Sequence, residues 1–194
     1  MNEFEYYVIE RKGNKAFPLV SSDRESKHTL LYLNNHEYKK YIDNPEVMQL
    51  VFSKPFPRKA VIGDYFSQTE SIVSEKIKAA IEPLNIKGIQ LIPATVKSNK
   101  GEVYEGFYYV HIYNFIEAID KETSNYELDE YGHYFIDSFK LDHKILEKIP
   151  LEERLVFKLK ENGTKKLYHR SVVDAIMATE PEGVQFIKVE NWVL

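Results

Sequence analysis

Ile72-Val73-Ser74-Glu75-Lys76-Ile77-Lys78-Ala79-Ala80-Ile81-Glu82-Pro83-Leu84-Asn85-Ile86-Lys87-Gly88-Ile89-Gln90-Leu91-Ile92 aligns without a gap, 95 positions on, with the stretch from Leu167 to Ile187. Five positions are identical: Ala80 meets Ala175, Ile81 meets Ile176, Gly88 meets Gly183, Gln90 meets Gln185 and Ile92 meets Ile187. Ile77/Val172, Ile89/Val184 and Leu91/Phe186 keep their apolar character. In the first copy Ile77, Ala80, Ile81 and Leu84 fall at i, i+3, i+4 and i+7, the stripe of an amphipathic helix, and Ser74 is placed to cap its first turn. Pro83 ends that helix, Gly88 releases the chain and Ile89-Gln90-Leu91-Ile92 begins a strand. In the second copy Val172, Ala175, Ile176 and Thr179 form the stripe, Pro181-Glu182-Gly183 breaks it, and Val184-Gln185-Phe186-Ile187 is the strand.

The turn Ser98-Asn99-Lys100-Gly101 leads from the first copy into Val103 to Tyr113, the strongest strand pattern of the chain, so the module reads helix, strand, turn, strand. Upstream, Glu5 to Glu10 reads as a strand that turns at Lys12-Gly13-Asn14-Lys15 into a second strand around Phe17 to Val20, an opening hairpin. Leu30 to Leu33 reads as a short strand, and Asn44-Pro45 as the start of a helical turn running through Met48 and Val51. Lys54-Pro55-Phe56-Pro57 is a connector, because two prolines fix φ and remove donors. Downstream, Tyr134-Phe135-Ile136 looks like a strand, Asp142 an N-cap, and Leu155 to Lys160 alternates with a period of two before the turn at Asn162-Gly163. The expected class is α+β: two repeated helix-strand-strand modules, with helices packed on mixed or mainly antiparallel sheet. Residues 1–60 are expected as an N-terminal β-rich subdomain and residues 61–194 as a duplicated domain, with copies near 72–93 and 167–188.

Composition narrows the function by exclusion. The 194 residues contain 14 Tyr, 11 Phe and no Cys, and 43% of them are hydrophobic, which describes a globular chain without disulfides, thiolate metal sites or a thiol nucleophile. The first residues carry acids where a signal peptide needs positive charge, and no apolar run approaches the roughly 20 residues of a spanning helix. A cytoplasmic protein with no membrane contact is therefore expected. Net charge is −4, but Glu117 to Asp142 holds eight acids against two bases, so this segment carries the whole excess. An acidic run is ordinarily a solvated loop; its functional reading is a docking surface for a basic partner.

The six His residues never fall at i, i+3 or i+4 from one another, so no helix presents a compact zinc motif, and neither metal nor cofactor is expected. Gly-x-Ser-x-Gly, the P-loop and Gly-x-Gly-x-x-Gly are absent. Glu105 to Ile112 approximates the aromatic strand of RNA-recognition domains, yet Glu105, Tyr108 and Ile112 fail the pattern, and the acidic neighbour repels phosphate, so nucleic acid is not an expected partner. His133, beside Gly132 and several carboxylates, is the one candidate base, which keeps open a small hydrolase-like enzyme with a cleft between the two modules.

Taken in order, Ile72 to Lys78, Gly88 to Pro93, Phe107 to Phe115, Glu117-Ala118-Ile119-Asp120, Tyr126-Glu127-Leu128, Val156 to Lys160 and Gly183-Val184-Gln185-Phe186 resemble family eleven of the bacterial immunity proteins of polymorphic toxin systems. The resemblance covers about the last two-thirds of the chain. It implies a non-catalytic, cytoplasmic protein that binds and neutralises a cognate protein toxin, and it brings no catalytic residues. Such a partner would be basic, with a nuclease as one class that fits, and the contact would fall on Asp120, Glu122, Tyr126, Glu127, Asp129, Glu130 and Tyr131, acids with tyrosine anchors. A regulatory binding module with a different partner is the third reading.

Overall fold

The computed structural model describes residues 3–22, 39–67 and 71–194. The strand expected at Leu30 to Leu33 lies outside them. Two sheets dominate the described residues. The first has the order β13 (Val184–Lys188), β1 (Tyr6–Arg11), β12 (Lys166–His169), β11 (Val156–Leu159) and β8 (Phe115–Ile116). The second runs β2 (Val20–Ser22), β3 (Met48–Phe52), β6 (Ile89–Lys97), β7 (Val103–Ile112), β5 (Ser71–Ser74) and β4 (Tyr65–Ser67). Pairing is antiparallel except between β8 and β11 and between β3 and β6. The α-helices among the described residues are short: α1 (Glu75–Ile81), α2 (His143–Leu146) and α3 (Arg170–Met177). A separate hairpin, β9 (Asn125–Leu128) with β10 (Tyr134–Ser138), completes the mostly β, α+β architecture.

The two aligned stretches follow one path, strand to helix to strand. β5–α1–β6 embraces β7, and β12–α3–β13 embraces β1. Their registers agree: Ile72 faces Tyr109 as Leu167 faces Val8, and Gln90 faces His111 as Gln185 faces Glu10. Gly88 O accepts from Tyr113 N–H at 2.9 Å, and Gly183 O accepts from Lys12 N–H at 2.9 Å. Asn85 and Glu180, also aligned, both take positive φ. The expected helix-strand-strand order does not extend to the second copy. After β13 the chain enters a single helical turn, Val189–Asn191, and the middle place in the sheet is filled by β1 from the other end of the sequence.

Three apolar clusters stack through this arrangement, because alternate residues of each strand face opposite sides. The central one joins Ile77 and Ile81 of α1 to Val172, Val173 and Ile176 of α3, with Ile9 and Tyr168 from one sheet and Val110 and Ile112 from the other. The outer face of the first sheet packs Tyr6, Val8, Phe157 and Leu167 against Ile119, Ile136, Phe139, Leu141 and Trp192. That of the second packs Leu50, Phe52, Ile72, Ile92 and Phe107. Each such side chain contributes roughly 1.5–3 kcal/mol by leaving water.

Local signals misread two places. Met48 to Phe52 is β3, not a helical turn; Met48, Leu50 and Phe52 are buried alternately, and β6 supplies a parallel partner. β1 pairs with β12 and β13 rather than turning back on β2, whose partner is β3. The first 60 residues thus contribute β1 to one sheet and β2 and β3 to the other. Ser74 does occupy the N-cap of α1, but its hydroxyl donates to Asp64 Oδ1 at 2.7 Å; at the matching place His169 Nδ1 accepts from Ser171 N–H at 3.2 Å. Gln90 is scaffold, since it donates to Ile42 O at 2.9 Å and accepts from Ile42 N–H at 3.1 Å.

Gly88 combines φ +77 with a Cβ position 2.4 Å from Asn114 Cβ, whereas Gly101, at φ +87, has open space around it. Gly88→Ala should therefore cost about 3 kcal/mol in urea unfolding and Gly101→Ala only about 1 kcal/mol.

Candidate functional site

Segment 117–142 leaves the first sheet at β8 and leads into α2. Its base is zipped: Asp120 N–H donates to Lys140 O at 2.9 Å, Asp142 N–H to Ala118 O at 2.8 Å, and Ile119 faces Leu141 in an isolated bridge. Between these points β9 and β10 form a hairpin in which Tyr126 faces Ile136, Glu127 faces Phe135 and Leu128 faces Tyr134. Alternation sends Tyr126, Tyr134 and Ile136 toward the outer core of the first sheet, where the Tyr126 and Tyr134 rings lie 5.1 Å apart. It sends Glu127 and Phe135 to solvent.

Six of the segment's eight acids divide into two kinds; of the others, Glu117 pairs with Lys121 at 3.0 Å and Asp137 accepts from Asn125 Nδ2 at 3.3 Å. Three aspartates serve the backbone. Asp120 accepts from Thr123 Oγ1 at 2.8 Å and from Glu122 N–H at 3.0 Å, and these bonds, the hydroxyl's foremost, hold its carboxyl below the usual range. Asp142 caps α2 by accepting from Lys144 N–H at 2.8 Å. Asp129 closes the hairpin turn: Oδ1 accepts from His133 N–H at 2.8 Å and Tyr131 N–H at 2.9 Å, and Oδ2 lies 2.8 Å from His133 Nδ1. The His133 amide is the main cause of its depressed pKa. Glu122, Glu127 and Glu130, by contrast, are exposed and form no ion pair among the described residues.

Apolar groups stand among these glutamates. Tyr131 at the turn is 77% exposed, Phe135 60% and Leu128 54%. Of the residues expected at a contact, Glu122, Glu127, Glu130 and Tyr131 are therefore presented to solvent. Tyr126 is half-buried as an anchor of the hairpin, and Asp120 and Asp129 are occupied in shaping it. Phe135 and Leu128 were missed; the strand reading of Tyr134-Phe135-Ile136 contained the signal for Phe135, since Tyr134 and Ile136 facing inward force Phe135 outward.

Nothing comparable gathers catalytic groups among the described residues. His133 has the carboxylate neighbour that a base requires, but its side chain is 74% exposed at the hairpin tip. It borders neither of the clefts flanking Asp120 and Asp142, of about 490 and 360 Å³, nor that of about 460 Å³ beside Tyr41 and Ile86. The cleft between the modules that an enzyme would need is filled instead by the central core, so nothing favours the hydrolase alternative. No cluster of three or more metal-ligating side chains occurs among the described residues, and no helix there is long and apolar enough to cross a membrane.

The model of the immunity protein family Imm11 matches residues 5–191, taking in both sheets and the hairpin. The chain belongs to the Imm11 immunity protein family. No curated protein matches it. The match reaches back through β1, so the Imm11 pattern includes the N-terminal strand as well as the last two-thirds of the chain.

Because Asp129 has a depressed folded-state pKa, the stability that it lends the turn is present above the unfolded carboxylate value of about 3.9 and is lost as pH falls through the lower folded value. The amides of Tyr131 and His133 should therefore lose protection and shift on acidification below about pH 4, followed by NMR. Asp129→Ala should abolish this titration and leave both amides unprotected at neutral pH.

Proposed function

We propose that this chain is an immunity protein of a polymorphic toxin system, which binds a cognate bacterial toxin in the cytoplasm and neutralises it by occlusion, without catalysis. The observation that carries the reading is the hairpin β9–β10, which exposes Tyr131, Phe135 and Leu128 together with Glu127 and Glu130, carboxylates without an ion pair among the described residues. Aromatic anchors within a charged rim are the composition of a protein interface, and the acids would steer a basic partner, a nuclease among the candidates. A contact of standard size, on the order of 1,600 Å² in all, would extend from the hairpin over the neighbouring clefts. The matched registers around β1 and β7 support reading the two strand-helix-strand units as copies of one scaffold that carries this surface.

Reversing Glu122, Glu127 and Glu130 together to Lys should slow association with the toxin at least about tenfold and abolish survival on co-expression with it. Folding stability should change by no more than about 0.5 kcal/mol, since all three side chains are in water. Phe135→Ser should weaken the complex mainly through faster dissociation. Undiminished protection by both variants would exclude the hairpin as the contact.

A further inference from the structure

We infer that β9 is a docking edge on which a basic, extended segment of the toxin is added as a third strand of the hairpin. The inference rests on the immunity reading above and specifies how that surface is used.

The two edges of the hairpin differ. Asp129 N–H donates to His133 O at 3.2 Å, which makes Asp129 and His133 a bonded pair of the ladder. Alternation then leaves Leu128 opposite Tyr134, and Tyr126 opposite Ile136, with main-chain groups turned outward. On the β10 side these outward groups are occupied: Tyr134 O accepts from Asn162 Nδ2 at 3.3 Å, and beyond the bulge Asp137 O accepts from Leu194 N–H at 2.9 Å. On the β9 side nothing among the described residues bonds the outward N–H and C=O of Tyr126 and Leu128. β9 also lacks the proline or lysine that commonly guards an edge. β13, at the edge of the first sheet, ends in Lys188, which is paired with Glu5 at 3.8 Å and Glu190 at 3.6 Å.

Side chains specify the occupant. A residue added opposite Glu127 projects onto the face that Glu127 shares with Phe135, so a lysine or arginine fits there. Its two neighbours project onto the face of Leu128 and Tyr126, and the half-uncovered Leu128 favours an apolar group. The incoming segment is therefore apolar, basic, apolar in alternation, with main-chain bonds supplying affinity and the alternation supplying specificity. A second copy of this chain is disfavoured as occupant, since pairing β9 with itself brings Glu127, Asp129 and Glu130 of two copies together.

The test uses the full chain and a short peptide alternating valine and lysine, with a scrambled peptide of the same composition as control. The alternating peptide should slow hydrogen exchange at the Tyr126 and Leu128 amides and bind more tightly than the scrambled one. Leu128→Pro, which removes an outward N–H but no ladder bond to β10, should weaken binding about tenfold. If that variant disturbs the hairpin, judged from the Phe135 amide, N-methylation of the peptide's alternate residues takes its place and should weaken binding likewise. Absence of binding, equal binding of both peptides, no added protection, or no effect of proline and N-methylation overturns strand addition. Glu127→Lys separates the two readings. If it weakens both peptides while Leu128→Pro is silent, the acidic surface stands and only the strand mode fails; if toxin neutralisation survives the triple charge reversal, the immunity surface itself fails.

Discussion

The insertion of β1 between β12 and β13 is the constraint on which the rest of the molecule depends. Tyr6, Tyr7 and Val8 bridge strands that lie some 160 positions or more further along the chain, so closing the sheet orders nearly the whole length at once. Charged groups reinforce that closure. Arg154, 1% exposed, donates to Glu3 O, Tyr6 Oη and Ile149 O, and Arg170 holds Glu5 at 3.1 Å. The bond to Tyr6 Oη is the costly one to lose, because both of its partners are buried. With β1 in place, Tyr6 and Val8 complete the apolar face on which Ile136, Tyr126 and Tyr134 rest, and the hairpin has a platform.

The platform explains how a solvated acidic segment keeps a defined shape. Asp120, Asp129 and Asp142 have side chains short enough to reach their own backbone, and each closes a turn or starts a helix by accepting N–H bonds. Glu122, Glu127 and Glu130 are one methylene longer and point away from the chain. Side-chain length thus suits Asp120, Asp129 and Asp142 to bonding their own backbone, while Glu122, Glu127 and Glu130 remain exposed. The aspartates order the loop through its own amides, and the glutamates stay in water.

The shared core between the sheets has a further consequence. Because Ile77, Ile81, Val172, Val173 and Ile176 meet in one cluster, core side chains fill the space between the two strand-helix-strand units.

By itself the sequence determined what local pattern can carry. The apolar stripes of α1 and α3, the glycines at positive φ after each, the strong strand β7, the acidic balance of 117–142 and the order of motifs that marks the Imm11 family were all legible, because each depends on periodicity, backbone freedom or composition within a short window. Tertiary structure alone decided the partner of β1, the strand rather than helix at Met48 to Phe52, and the division of labour among the acids. Strand pairing is a contest among distant edges, and Asn44-Pro45 resembles a helix start until β6 offers Met48 to Phe52 a ladder. Likewise nothing local distinguishes Asp129 from Asp137, whose equally short side chain accepts from Asn125 Nδ2 instead. What distinguishes them is a turn whose amides converge on one carboxylate, and that turn exists only once the hairpin is seated on the sheet beneath it.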